Sequence, residues 1–301
     1  MEIWIILSLV APFFWAASNL VDKIVVENYL DQPNQFMLLL SQFYSVVAVT
    51  YLIFFASSFS LNIFALSCGA MLFCLYYFYA KVLPDEEISS VILVHQIEPV
   101  FVLVIAVILL GIYPTSFEWV GFFAVLFGMT YFGFSKKGGG DATISRKNII
   151  LLIISAFFGG ISTIFADMAS EEISTIDVLG QSAIGYGISG IACLIISESY
   201  RKDALTIFQK FAGIRVTAMG FTGALDMLGY LAFFGALASS SNPGFVAVIT
   251  CIHPAVVFVM GILFSVFAPH VYKEALDKSV ISKKLISLLI VSIGIAFLSA
   301  N

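Results

Sequence analysis

Several polar and ionisable side chains stand where an apolar chain has least use for them. Ile88–Gly111 is an almost unbroken apolar run, and near its middle sit His95, Gln96, Glu98 and Pro99. An acidic residue at the centre of a spanning helix costs roughly 2.5–3.5 kcal/mol on insertion scales, and crossing a bilayer does not require one. His95 and Glu98 are three apart and so share a helix face. Pro99 has no N–H to donate to the carbonyl of His95. One face of this segment can therefore offer a carboxylate, an imidazole and a free carbonyl at mid-depth. A carboxyl in that setting could carry a coupling proton when protonated or hold a cation when ionised. Asp226 is placed similarly, at the centre of TGALDMLGYLAFF, between Gly223 and Gly229 and four residues before Tyr230. It reads either as a substrate or proton site or as a carboxylate bonded to a neighbouring helix. His253 precedes Pro254, which frees the carbonyl of Thr250, and it reads either as a ligand group or as a hydrogen-bonded core histidine. Trp15 and Asn19 share a face of the first apolar segment. Asp22, Lys23 and Lys81 stand near predicted helix ends, where snorkelling or simple pairing accounts for them.

The elements that must position these groups are membrane helices. Of 301 residues, 60% are hydrophobic and only 11% charged. The mean hydropathy is +1.04. A soluble domain needs a larger charged surface, so the chain reads as an all-α integral membrane protein. Ten apolar segments are predicted, at about 3–22, 36–56, 62–83, 88–111, 117–135, 148–168, 175–197, 214–238, 243–267 and 283–300. Thr115-Ser-Phe-Glu118 has capping-box spacing and predicts the start of the fifth helix. The net charge of −5 gives no reason to expect nucleic acid as a partner. Cys68, Cys74, Cys193 and Cys251 lie in apolar runs without metal-ligand spacing and read as small hydrophobes, so no metal or other cofactor is expected. The N-terminus lacks a basic region and reads as a first spanning helix.

The two halves of the chain look related. Residues 1–135 and 148–301 each hold five segments, joined by a polar, glycine-rich linker at 136–147. One offset pairs Glu98-Pro99 with His253-Pro254 and Tyr-Phe-Tyr-Ala at 77–80 with Ala-Phe-Phe-Gly at 232–235. Gly121 and Gly128 have the spacing of Ser287 and Gly294, and Asp22 and Asp167 lie opposite each other. An odd number of helices per half makes the second half inverted, an architecture of secondary transporters whose sites lie near mid-membrane. All 14 lysines and arginines fall in or beside alternate connections, from Lys23 to Lys284. That places those loops in the cytoplasm and both termini outside.

Trp15-Ala-Ala-Ser-Asn19 with Lys23 beyond, the YYFYAKVL ending of the third segment, the mid-helix proline of the fourth and the two-glycine spacing of the fifth resemble the drug/metabolite transporter superfamily, in its ten-helix EamA-like branch. The resemblance implies alternating-access transport of small organic solutes, often export of amino acids or related metabolites. It implies a cytoplasmic N-terminus, opposite to the charge reading, and no need of an oligomer. The expected partners are a small-molecule substrate, membrane lipids and protons, at a plasma or inner membrane. The expected site comprises Glu98, Asp226, His95 and His253, lined by Asn19, Trp15 and Tyr230, with hinges at Pro99 and Pro254. A lipid-binding or scramblase-like protein is the alternative. Enzyme activity is not expected. Gly187-Ile-Ser189-Gly190 and Gly138-Gly-Gly-Asp141 match intramembrane-protease motifs by four residues each, and the former would require Ser189 and His253 to meet.

Overall fold

A computed structural model describes residues 3–56, 60–111, 113, 115–133, 144–209, 213–239, 249–250, 252–270, 272 and 278–298. The described residues form α-helices and connecting turns. They are α1 (Ile3–Tyr29), α2 (Pro33–Phe54), α3 (Ile63–Ala80), α4 (Ile88–His95), α5 (Glu98–Leu110), α6 (Ser116–Gly133), α7 (Arg146–Ser170), α8 (Thr175–Ile196), α9 (Glu198–Gln209), α10 (Gly213–Ser239), α11 (His253–Phe267) and α12 (Lys278–Leu298). Among them, eight segments are long and apolar enough to cross a membrane, with α4 and α5 counted as one, and the shorter apolar stretches Trp119–Gly128 and His253–Phe267 lie in α6 and α11. The chain is an integral membrane protein, and helices suit it because each satisfies its own backbone groups where water is absent.

Local chemistry explains the helix starts. Pro33 occupies the first turn of α2, where a missing N–H costs nothing. Asn62, Ser145 and Ser174 cap α3, α7 and α8 by accepting from the backbone N–H groups of Ala65, Asn148 and Asp177. The Trp119 N–H reaches the carbonyl of Thr115, at the start predicted from the capping-box spacing.

Three expectations change. The run 88–111 is two helices rather than one. His95 ends α4, Glu98 begins α5, and Pro99 lies in the first turn of the second piece, because proline fits a helix start better than its interior. Pro254 occupies the same place in α11, and the capping residues Ile97 and Ile252 have nearly equal backbone angles. The stretch 198–209, which lies between two predicted apolar segments, holds α9, whose Tyr200, Ala204 and Ile207 recur at helical spacing and are buried while Arg201, Lys202 and Leu205 face outward. The linker ends earlier than 147: Ile144 is buried and Arg146 and Lys147 already belong to α7. Residues 136–143 of it, Cys251 and much of 243–252 lie outside the described residues.

Packing pairs helices across the two halves. α1 packs on α10 as α7 packs on α3, α1 on α11 as α7 on α5, and α2 on α10 as α8 on α3. α2 against α8, α4 against α11 and α6 against α12 also pack across the halves. Exchanging the two halves maps every one of these pairs onto another or onto itself. The glycines of the fifth and tenth passes explain the last pair: a Cβ on Gly294 would meet Val125 and the Gly121 carbonyl, and one on Gly128 would meet Val291 and the Ser287 carbonyl. Only small residues let these backbones come so close.

Polar contacts tie the ends of the bundle. At the end where α1 finishes, Lys23 donates to the Leu83 carbonyl and pairs with Glu27 at 2.7 Å, Lys284 pairs with Glu87, Asn148 donates to Glu86 (2.8 Å) and Asn34 to Asp203 (2.7 Å). Lys23 is thus buried and partnered rather than snorkelling. At the opposite end Asn62 donates to Glu172 (2.6 Å), its backbone N–H to Gln181 (2.7 Å), and Tyr51 to Asp177 (2.6 Å).

Candidate functional site

The interior is organised around two carboxylates. Asp226 lies on α10 and is 4% exposed; its Oδ2 accepts from the Tyr44 hydroxyl of α2 at 2.9 Å and the Tyr76 hydroxyl of α3 at 2.7 Å. Asp22 of α1 is 2% exposed and accepts from Thr222, one turn before Asp226, at 2.6 Å and from Tyr79 at 3.5 Å. Asn19 donates to the Tyr79 hydroxyl at 3.1 Å and meets His253 Nε2 through its Oδ1 at 3.0 Å. Ser18 and Thr222 bond to each other across α1 and α10. Trp15 closes this cluster. Its ring lies 5.5 Å from those of Tyr230 and Phe233 and 5.9 Å from that of His253, and its indole edge sits where a Cβ on Gly229 would collide. Neither Asp22 nor Asp226 has a described lysine or arginine as a partner: Lys23 is taken by Glu27, Lys284 by Glu87, Lys202 by Glu198, and Lys81 lies over the Tyr77 ring.

A second cluster lies on α4, α5 and α7. Glu98 Oε2 stands 3.6 Å from His95 Nδ1, and Glu98 Oε1 accepts from Thr163 at 3.1 Å. His95 Nε2 meets Ser155, whose hydroxyl donates to the Leu75 carbonyl. Gly159 makes room for the Glu98 carboxylate. The Glu98 side chain is 28% exposed, in contrast to the buried aspartates. The clusters adjoin along α3: the Leu75 carbonyl holds Ser155 of the second cluster, and the next residue, Tyr76, holds Asp226 of the first. All seven expected lining residues therefore fall in one connected region drawn from both halves of the chain.

The clusters are also related contact by contact. Ser18 bonds Thr222 across α1 and α10, and Ser162 bonds Cys68, one residue past the position matching Thr222, across α7 and α3. Asn19 bonds His253, and Thr163 bonds Glu98. Trp15 packs beside Tyr230, and a Cβ on Gly159 would lie beside Leu75. These bonds align Ser18 with Ser162, so Ala166 rather than Asp167 corresponds to Asp22. Asp167 is exposed, one residue off the matching face.

Asp22 is the principal residue that sequence reasoning underrated. The apolar segment at 3–22 ends at Asp22, but α1 continues to Tyr29 and so carries Asp22 in its interior. The signal was present: Trp15, Asn19 and Asp22 have the i, i+4, i+7 spacing of one helix face. Thr222, Asp226 and Tyr230, at i, i+4 and i+8, likewise share a face of α10. Tyr44, Tyr76 and Tyr79 carry no such signal, since tyrosine in an apolar helix is ordinary. Ser189 donates to the carbonyl of Gly185 and His253 bonds Asn19, so the two residues of the protease match are each engaged elsewhere. Gly138–Asp141 lies outside the described residues. The small-residue face of α8 packs on α3, with Gly185 against the Leu66 carbonyl and Gln181 bonded to Asn62 and Ser60. No group of three or more metal-ligating side chains occurs among the described residues.

Comparison with known proteins adds one family. Residues 2–134 match the model of the EamA-like transporter family. No curated protein matches. Among solved structures 27 chains match. One of them, titled only "Crystal structure of protein", aligns at 14% identity and a TM-score of 0.49 over 98% of this chain and 95% of its own.

Proposed function

With residues 2–134 forming an EamA-like domain of the drug/metabolite transporter superfamily, we propose that the chain is a secondary transporter that exports small organic metabolites, such as amino acids or drugs, by alternating access. The observation that carries this reading is the gathering of Asp226 and His253 in one polar cluster and of Glu98 and His95 in an adjoining one, drawn from both halves of the chain. Intramembrane ionisable groups are costly, and in transporters of repeat architecture they gather where the halves meet. The paired packing of the helices supports two inverted five-helix repeats.

The expected site consists of Glu98, Asp226, His95, His253, Asn19, Trp15 and Tyr230. Pro99 and Pro254 follow the breaks between helical segments and act as hinges. Glu98 is the expected carrier of a coupling proton because it is the acid left partly accessible, with an imidazole beside it. The aspartates, held by hydroxyl donors, bind substrate. The protein sits in the plasma or inner membrane with both termini outside and works without an obligatory second subunit.

The test is flux in proteoliposomes under an imposed pH gradient, with candidate metabolites inside. Accumulation or release that follows the gradient in wild type and not in Glu98→Gln is expected. A Glu98→Gln variant that keeps its full dependence on the gradient would remove proton coupling at this residue. Absence of gradient-driven or exchange flux for every class, in protein that scrambles lipid, would favour the lipid-handling alternative.

A further inference from the structure

Resting on the transport reading, we propose that Ser155 is the positioning residue of the coupling-proton site: it holds His95 with a proton on Nε2, so that His95 Nδ1 and the Glu98 carboxylate share one exchangeable proton. One face of α7 seats the pair. Ser155, Gly159 and Thr163 stand on it at i, i+4 and i+8. Ser155 meets His95 Nε2 at 3.2 Å, Thr163 donates to Glu98 Oε1 at 3.1 Å, and a Cβ on Gly159 would lie 2.7 Å from Glu98 Oε2. Oε1 is thus engaged, and Oε2 is turned to His95 Nδ1, 3.6 Å away.

Proton bookkeeping then fixes the imidazole. The Ser155 hydroxyl has a single hydrogen and gives it, at 2.8 Å, to the Leu75 carbonyl, which can only accept. Toward His95 the same oxygen is an acceptor, so Nε2 carries the N–H. Ser155 is wholly buried, which keeps bulk water from replacing either bond. Neutral His95 therefore presents a bare Nδ1 to a carboxylate oxygen. Two acceptors face each other, at a separation longer than a hydrogen bond. A proton taken up between them makes a charge-assisted bond and cancels the charge of the pair. The opposite tautomer, with its N–H on Nδ1, would satisfy the carboxylate with no proton from outside. The break between the helices assists. His95 lies in the last turn of α4 and Glu98 in the first turn of α5, where helix dipoles favour a cation and an anion. The loaded pair is imidazolium and carboxylate, and release of the Nδ1 proton leaves one negative charge.

Other ionisable groups on the helices packed against α4 and α5 are engaged elsewhere. His253 of α11 bonds Asn19, Asp22 of α1 bonds Thr222, Lys23 of α1 and Lys284 of α12 pair with Glu27 and Glu87, and Asp167 of α7 is exposed. Arg146 and Lys147 of α7, Glu118 of α6, and Lys278 and Lys283 of α12 fall in the first two turns of their helices.

The experiment uses full-length protein in nanodiscs, isotope-labelled at its three histidines, with the ring nitrogens followed by NMR from about pH 5 to about pH 9. His95→Gln identifies the His95 signals. His95 is expected to carry protons on both nitrogens at the acid end and on Nε2 alone at the alkaline end. Ser155→Ala should move the alkaline proton to Nδ1, where it stabilises the carboxylate. The midpoint of pH-dependent flux in proteoliposomes should then shift to lower pH by about one unit or more. Ser155→Thr keeps the hydroxyl and should keep both the tautomer and the midpoint. An alkaline His95 protonated on Nδ1, or an Nδ1 that never titrates, overturns the proposal, and this test needs only wild-type Ser155. A Ser155→Ala protein with wild-type tautomer and midpoint overturns it as well. Flux separates this inference from the reading beneath it. Titration of Nδ1 in a protein whose flux ignores the pH gradient would overturn proton coupling and leave the tautomer assignment standing, whereas gradient-driven flux with the opposite tautomer would overturn this inference alone.

Discussion

At the scale of single residues, the site shows how a low-dielectric interior gives ordinary side chains unequal weight. Asn19 bridges Tyr79 and His253 and so fixes the histidine against the indole of Trp15. Interhelical bonds in membranes are worth only about 0.6 kcal/mol on average, because the unfolded chain in lipid also finds partners. Asn19→Ala should therefore lower the melting temperature by little, within a few degrees by scanning calorimetry, while reducing substrate affinity several-fold. A large fall in stability with unchanged affinity would make Asn19 a packing residue. Trp15→Ala removes a ring bordered by three others and leaves a cavity beside Gly229; a loss of roughly 3–5 kcal/mol is typical when a buried aromatic is truncated. Trp15→Phe keeps a ring and should retain most binding, which a titration of both variants would reveal.

At the scale of elements, the breaks at Ile97 and Ile252 are the features that single residues do not explain. In both, a proline in the first turn of the following helix removes an amide donor, and in both a functional candidate immediately precedes it. Pro99→Ala restores the missing N–H. It should straighten the fourth pass and slow transport several-fold with expression and thermal midpoint maintained; unchanged turnover would refute a hinge there. The α6–α12 contact is of the opposite kind, closed and glycine-dependent. Gly294→Leu drives a side chain into the Gly121 carbonyl and Val125. Overpacking of this sort costs about 1–3 kcal/mol, so the variant should unfold at lower temperature in detergent, with substrate affinity in the surviving fraction intact because the proposed site lies on other helices.

At the scale of the whole molecule, pairwise exchange of the two halves is the organising relation, and orientation is its most direct test. The positive-inside reading and the superfamily resemblance imply opposite sides for the N-terminus. A cysteine introduced at position 3 of a protein freed of its four native cysteines, probed with a membrane-impermeant maleimide, should react from outside in intact cells. Labelling only after permeabilisation would place the termini in the cytoplasm instead.

The amino-acid sequence by itself determined the all-helical membrane class and singled out most of the candidate residues. Apolar length dictates helices in lipid, and a charge within such a helix is conspicuous because it is costly, which is why Glu98, Asp226 and His253 stand out unaided. Tertiary structure decided what spacing along one helix cannot. It put Asp22 opposite Thr222, brought three tyrosine hydroxyls to two carboxylates, separated α4 from α5 and laid α9 against the bundle. The reason is physical. Tyrosine in a membrane helix is equally at home in lipid, at an interface or on a carboxylate, and only the partner helix across the contact selects among them.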